Sequence, residues 1–460
     1  MSESPIQFAS LVERLRATFA TGKTFDLRWR REQLAALARL LDENEAAIAE
    51  ALKGDLAKPA QEVVLGETAL LHSEIRHARE RLHRWARPRR VDTPLVAQPG
   101  RSFIQPEPLG VVLIIGAWNY PIQLVLAPLI AAIAAGNCAV IKPSELAPSA
   151  SKLLSELLPR YLDDQAFAVV EGAVPETTAL LAERWDHIFY TGGAAVGRIV
   201  MRAAAEHLTP VTLELGGKSP AVVDASADLK STARRLAWGK LLNAGQTCIA
   251  PDYVLVARER KDAFLDALKQ AMVDMLGRDP LMSDDYAAII NSRHFERIKG
   301  LLGQGTVVVG GQADPESRKI APTVLTDVPL DATVMTEEIF GPVLPVLATD
   351  DIDSAIEFVR RGEKPLSAYL FTRSKSSERK FLERLACGSV CINDVMMFMS
   401  VPELPFGGVG ESGMGQYHGQ AGFDRLSHLK SVIRRGRFPE ITIRFAPYSA
   451  LKMKLLKWFA

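Results

Sequence analysis

Between Leu109 and Ile141 the chain carries no charged side chain, a run long enough to cross a bilayer if it formed one helix. Gly116, Asn119, Pro121 and Pro128 punctuate that run. Breakers of this kind divide it into a strand at Gly110 to Ile115, a turn, a helix near Ile122 to Ala135 and a second strand at Cys138 to Ile141. Strands that are apolar on both faces belong in a parallel sheet covered by helices. The segment therefore predicts a buried βαβ unit and no membrane span.

The rest of the chain extends that pattern. Phe8, Leu11, Val12, Leu15 and Phe19 form one helical stripe, and Leu34, Leu37, Ala38 and Leu41 form another, so the first ninety or so residues read as packing helices. From Arg87 to Pro108 prolines recur at positions 88, 94, 99, 106 and 108, and short β-prone pieces flank Pro99-Gly100, which predicts a projecting hairpin. Strands at Ala166 to Val170 and His187 to Tyr190 alternate with helices at Ser149 to Tyr161 and Ala194 to His207, giving a doubly wound parallel sheet. A second set is predicted with strands near Val211 to Leu215, Ala221 to Val223, Val254 to Val256 and Ser389 to Ile392, and helices near Leu229 to Leu242 and Lys261 to Leu276. A chain of 460 residues with 48% hydrophobic composition has material for two or three domains; the fold class expected is α/β, with two doubly wound domains.

Bulk properties exclude several functions. The formal charge of +1 provides no field to recruit nucleic acid or an anionic membrane. Four cysteines, at 138, 248, 387 and 391, form neither a disulfide framework nor a zinc-ligand spacing, so no metal is expected and a reducing, cytoplasmic setting is. The opening Met1-Ser2-Glu3-Ser4-Pro5 lacks the basic leader and apolar core of an export signal. The tail from Leu451 to Ala460 is short, basic and amphipathic: a packing helix or a weak membrane-surface contact, too short to span.

Two strings carry chemistry. Cys248 lies in Asn243-Ala244-Gly245-Gln246-Thr247-Cys248-Ile249-Ala250-Pro251-Asp252-Tyr253, and Glu214 lies in Val211-Thr212-Leu213-Glu214-Leu215-Gly216-Gly217-Lys218. A thiol in a Gly-flanked loop and a carboxylate at a strand end together make a kit for covalent chemistry on a carbonyl carbon. Asn119, in Ala117-Trp118-Asn119-Tyr120-Pro121, follows a buried strand. Its amide can serve a developing oxyanion, or it can cap the helix that follows.

These strings, in this order, resemble the aldehyde dehydrogenase superfamily, and the wording Gln246 to Tyr253 resembles its class 3 branch, which acts on fatty and aromatic aldehydes. The resemblance runs nearly end to end. It implies a Rossmann-type cofactor domain (1–86 and 109–210), a catalytic thiol domain (211–415), a protruding β oligomerisation arm (87–108 and 426–437) and a C-terminal tail (438–460), assembled as a homodimer. It also implies NAD(P)-dependent oxidation of apolar aliphatic or aromatic aldehydes to carboxylic acids, through a thiohemiacetal and thioester on Cys248 and water activated by Glu214, with Asn119 as oxyanion donor.

The same resemblance assigns cofactor contacts. Trp118 is among them, as are Gly192, Gly193, Ala194, Ala195, Val196 and Gly197, a strand-to-helix turn that is weak evidence alone because such turns are common. Lys142 and Glu145 would meet the adenosine ribose, the carboxylate favouring NAD while leaving NADP possible. Glu338 and Phe340 would meet the nicotinamide ribose, although Phe340 alone reads equally as core. Tyr120, Met397 and Phe398 are candidate walls of an apolar substrate tunnel, or ordinary core. A cofactor-independent cysteine hydrolase would share Cys248 but leave Lys142, Glu145 and Glu338 without a task.

Overall fold

Helices open the chain: α1 (Ala9–Ala20), α2 (Leu27–Glu43), α3 (Glu45–Leu56), α4 (Ala60–Val63), one π-helical turn at Val64–Thr68, and α5 (Ala69–Ala86). The computed structural model describes residues 8–436 and 442–459. The start Met1 to Pro5, position 437 of the expected arm, and positions 438–441 and 460 of the tail lie outside the described residues. Asp26 caps α2 by accepting from the Arg28 N–H at 2.8 Å, as short carboxylates at N-caps do. The expected stripes turn inward, with Val12, Leu15, Leu34, Leu37 and Leu41 all buried.

The proline-rich segment forms β1 (Arg89–Val91) and β2 (Gly100–Pro108), paired antiparallel. A distant strand, β18 (Ser427–Arg435), pairs along the whole of β2, from Ser427 opposite Pro108 to Arg435 opposite Gly100. This three-stranded ribbon matches the shape expected of the arm. Apolar side chains stay exposed on it: Val91, Leu95, Val96 and Ile433.

The uncharged run becomes β3 (Val111–Ile115), α6 (Gln123–Ala135) and β4 (Cys138–Lys142), with every residue of the three elements buried. Pro128 sits inside α6 without ending it. With β5 (Phe167–Val169), β6 (His187–Thr191), β7 (Val211–Glu214) and the short antiparallel β17 (Gly413–Met414), these strands form a six-stranded sheet in the order β17-β7-β6-β3-β4-β5. Helices α7 (Pro148–Tyr161), α8 (Val174–Ala182) and α9 (Ala194–Ala205) make its connections.

One strand changes sheet relative to the sequence reading. Val211 to Leu215 was expected to open the second α/β unit, but β7 pairs parallel with β6, Ile188 opposite Val211 through Thr191 opposite Glu214. Helix α9 ends at Ala205 and the chain re-enters beside β6, the commonest outcome for consecutive strands joined by a helix. Glu214 is therefore carried by the first sheet and Cys248 by the second unit.

That second unit is a seven-stranded sheet, ordered β10-β13-β14-β9-β8-β15-β16. Its strands are β8 (Pro220–Val223), β9 (Tyr253–Ala257), β10 (Thr306–Val309), β13 (Thr323–Thr326), β14 (Val343–Thr349), β15 (Ser367–Phe371) and β16 (Ser389–Ile392), with a small hairpin of β11 (Ala313–Asp314) and β12 (Lys319–Ile320) alongside. Helices α10 (Leu229–Leu241) and α11 (Lys261–Leu276) cover one part of it. Strands β13, β14 and β15 were not anticipated. Pro345 within β14 speaks against a central strand on local grounds, and only the parallel neighbours β13 and β9 make it one. No helix among the described residues is long and apolar enough to cross a membrane.

In the first sheet the carboxyl ends of β3, β4, β6 and β7 share one edge, where open α/β sheets place ligands. Beyond those ends lie Trp118 and Asn119, Lys142, Gly192 and Glu214. The order reverses between β3 and β6, so this edge holds the topological switch point. Leu113, wholly buried at the centre of β3, reports on the integrity of this platform. Leu113→Ala is expected to lower unfolding stability by about 2 to 5 kcal/mol, read from the urea midpoint at unchanged slope.

Candidate active site

The thiol loop follows α10 directly, and its backbone is unusual. Asn243, Ala244 and Gly245 all adopt left-handed conformations, with φ of 52°, 51° and 73°. Only the glycine does so without strain, and such strain persists where the surroundings over-determine it. Here the surroundings are polar and buried. The Asn243 N–H donates to Glu62 Oε2 at 2.8 Å. Gln246 Nε2 donates to the carbonyls of Asn243 and Ala288, both at 3.0 Å, and its Oε1 accepts from the Ile290 N–H. Gln246 is thus a buried bracket that fixes the approach to Cys248.

Asn119 and Tyr120 reach this loop from the end of β3. Asn119 Nδ2 donates to the Gln246 carbonyl at 3.0 Å, and Tyr120 Oη lies 2.8 Å from Thr247 Oγ1. Asn119 does not cap α6: the N-cap is Ile122, without a side-chain cap, and the first-turn N–H groups of Ile122 and Gln123 donate to Glu67 Oε2 at 2.9 and 3.0 Å. A side-chain amide has two N–H donors, and among the described residues Asn119 Nδ2 uses one of them, toward the Gln246 carbonyl.

Glu214 is buried at the end of β7, and among the described residues neither of its carboxylate oxygens has a hydrogen-bond partner. Dehydration raises its pKa well above the ordinary carboxylate range, the pattern of a proton-accepting acid in waiting. The thiol of Cys248 is also held well above its usual range, first by burial, then by the charges of Glu338 and Glu214; the N–H groups of Cys248 and Ile249 oppose this. Burial pushes Glu338 up to about 8, with Asp252 adding to it while the Gly217 N–H, Lys218 and Arg297 pull down.

The loop that presents Glu338 and Phe340 is clamped. Lys218 pairs with Asp252 and donates to the carbonyls of Val334 and Glu337 at 2.9 and 2.8 Å. Asp252 accepts from the Ile339 N–H at 3.0 Å, and Arg297 donates to the Ile339 carbonyl at 2.7 Å. The Gly217 N–H donates to Glu338 Oε1 at 3.1 Å, and a Cβ at Gly216 would meet Glu338 Oε2 at 2.0 Å, so the missing side chain at Gly216 is what lets Glu338 lie beside Glu214's strand.

Cys248 opens onto a cavity of about 150 Å³. Asn119, Tyr120, Gln123 and Thr247 line it near the thiol, and its remaining wall is mostly apolar, including Leu65, Leu124, Trp238, Leu242 and Met396, Met397 and Met399. Tyr120 and Met397 are part of this lining. Phe398 is not: it is buried and stacks against Tyr369 and Phe406, at 6.4 and 6.1 Å between centroids. A short 3₁₀ turn at Met397–Ser400 carries Phe398 to the other side of the chain from its methionine neighbours. Tyr417, Gly66 and Leu70 also line the cavity; they belong to no local motif and went unread in the sequence.

The other expected residues gather along the carboxyl edge of the first sheet. Lys142 is buried and donates to the Pro143 carbonyl at 2.8 Å and to the half-exposed Glu145 at 3.1 Å. Gly192 (φ 158°) has room for no side chain, because a Cβ there would meet Tyr190 Oη at 2.3 Å. A Cβ at Gly193 would meet nothing within 4 Å. Gly193 is the N-cap of α9 and offers no side-chain cap, which leaves the first N–H groups of the helix, those of Ala194, Ala195 and Val196, uncapped by a side chain, an arrangement suited to phosphate. Trp118 stands edge-on to Phe340 at 5.3 Å, so the two rings expected at opposite ends of the sequence meet.

The free thiol has a simple signature. Because it is dehydrated, and because Glu338 and Glu214 become anionic beside it as the pH rises, alkylation of Cys248 by iodoacetamide is expected to be slow at neutral pH and to accelerate only at a more alkaline pH than an ordinary thiol. Glu338→Gln removes one raising charge and shifts that profile to lower pH. Mass spectrometry of the Cys248 peptide reads both outcomes, and a profile unmoved by Glu338→Gln would contradict the electrostatics.

Comparison with known proteins agrees with this geometry. The profile of the Aldehyde dehydrogenase family matches residues 4–432. Aldehyde dehydrogenase family 3 member H1 of Arabidopsis thaliana is 48% identical, covering 98% of this chain and 94% of its own. The dimeric NADP-preferring aldehyde dehydrogenase of Canis lupus familiaris is 46% identical, covering 93% and 95%. The substrate-bound structure of Staphylococcus aureus AldH superposes with a TM-score of 0.96 at 42% identity, over 99% of both chains. With a thiol, an acid and an amide donor converging between two α/β sheets, and with similarity over nearly the whole length, this chain belongs to the aldehyde dehydrogenase family.

Proposed function

We propose that the protein oxidises apolar aliphatic or aromatic aldehydes to carboxylic acids, with NAD or NADP as oxidant and water as acyl acceptor. The observation that carries this reading is the cavity, where Cys248 and Asn119 share a wall whose remainder is mostly hydrocarbon and thioether. Such a lining gains about 0.8 kcal/mol per buried methylene and offers no cation to a charged substrate.

In this reading the Cys248 thiol gives up its proton to water, and its sulfur bonds to the aldehyde carbon as the carbonyl π bond opens onto oxygen. The oxygen that becomes anionic accepts from the other N–H of Asn119 and from the Cys248 backbone N–H, donors already in place and costing no reorganisation. Bound NAD(P) would supply an acceptor for the hydride that leaves the former aldehyde carbon, and a positive charge that would oppose the raising effects of Glu338 and Glu214 on Cys248. The acyl group then remains on sulfur as a thioester. Glu214, without hydrogen bonds among the described residues, is available to take a proton from water, whose oxygen bonds to the acyl carbon as the carbon–sulfur bond breaks.

The residues fit the cofactor. The uncapped start of α9 suits the pyrophosphate, Lys142 and Glu145 suit ribose hydroxyls, and Glu338 with Phe340 suits the second ribose and ring. Glu145 favours a free 2′-hydroxyl over a 2′-phosphate, and its exposure lets it move aside, which fits acceptance of both cofactors. The first sheet would thus carry the cofactor and the second unit the thiol. The exposed apolar residues of the β1-β2-β18 ribbon suit a second copy of the chain, giving a homodimer. Four unpaired cysteines suit a reducing cytoplasm.

Two experiments test the reading. Glu214→Gln is expected to keep a single-turnover burst of reduced cofactor, seen by stopped-flow absorbance, while steady turnover falls by about 10² to 10⁴; an undiminished steady state removes Glu214 from the role of base. Across a series of linear aldehydes, kcat/KM is expected to rise with chain length, up to roughly fourfold per methylene, until the cavity is filled. Formation of an acyl-CoA in place of free acid, when CoA is added, would overturn the assignment of water.

A further inference from the structure

We propose that Lys58, paired with Glu67, is a positioning residue for the oxyanion donor Asn119, an inference that rests on the role given to Asn119 above. Both side chains of the pair are fully buried, and they lie in the N-terminal helical region, outside the two sheets. Lys58 Nζ donates to Glu67 Oε1 at 2.7 Å and to the Asn119 carbonyl at 2.9 Å, and it sits 4.2 Å from the centroid of the Tyr120 ring. Glu67 Oε2 accepts from the Ile122 and Gln123 N–H groups. One ion pair therefore grips the whole turn from Asn119 to Gln123.

The far side of that turn is gripped as well. Asn243 Nδ2 donates to the Asn119 carbonyl at 2.9 Å and to the Gln246 carbonyl at 3.1 Å. The Asn119 peptide is thereby fixed by an ammonium from one direction and by the thiol loop from the other, and its side-chain amide is left to aim one N–H into the cavity. A buried ion pair is poorly explained by stability, since apolar replacements often serve as well. What it supplies is charge-assisted, directional hydrogen bonding, and an oxyanion donor loses its effect when displaced by a fraction of an ångström to an ångström. Lys58 is absent from the cavity wall, so it acts through Asn119 and touches no substrate.

A double-mutant cycle tests this with the full-length enzyme, NAD and a medium-chain aldehyde. Asn119→Ala alone should lower kcat by about 10² to 10³. Lys58→Met should lower kcat by roughly tenfold or more while the NAD dissociation constant stays unchanged, and Lys58→Arg should recover part of the loss. The combined Lys58→Met, Asn119→Ala enzyme should be no slower than Asn119→Ala. If Lys58→Met fails to fold because Glu67 is left charged and unpaired, Lys58→Met with Glu67→Gln removes both charges and takes its place in the cycle. Losses that multiply in the combined enzyme, or an unchanged kcat in the Lys58 variant, would overturn the positioning role and leave the Asn119 reading intact. An unchanged kcat in Asn119→Ala would overturn the Asn119 reading itself.

Discussion

Side-chain hydrogen bonds join the end of β3 to the thiol loop: Asn119 to the Gln246 carbonyl, Asn243 to the Asn119 carbonyl, and Tyr120 to Thr247. They cross between units built on different sheets, and the site exists only where they cross. The first sheet brings Glu214 and the uncapped start of α9; the second unit brings Cys248 and the clamped loop with Glu338. A shift of one unit against the other would separate nucleophile from acid without disturbing either sheet. The polar bracket around Asn243 and Gln246 resists such a shift, because each of its bonds is buried and costly to leave unmade.

The same burial sets the chemistry. Glu214, Glu338 and Cys248 all lie in surroundings that penalise charge, and all three are pushed toward their neutral forms. Inserting a cation among them reverses that penalty.

Much of this was legible locally. The uncharged run with its glycine and prolines fixed β3, α6 and β4, because a parallel strand buried on both faces has few alternatives. Glycines at 192, 216, 217 and 245 marked places where backbone passes close to Tyr190, Glu338 or Gly341. The assignment of β7 to the second unit failed because strand composition does not state which sheet a strand joins, and β14 went unread because Pro345 is a poor strand residue until parallel neighbours flank it. For Phe398 the sequence left tunnel wall and core open, and its buried stack with Tyr369 and Phe406 is the core alternative.

The sequence alone determined the chemical kit: a thiol, an acid, an amide and a phosphate-suited turn, each tied to a strand end or a Gly-rich loop by short-range rules of backbone geometry. Tertiary structure decided which of these groups meet. Lys58, Glu67 and Tyr417 carry no motif, and nothing within ten residues of them announces a role. Their importance comes from low-dielectric contacts between segments far apart in the chain, whose energy depends on distance and burial and on no local pattern.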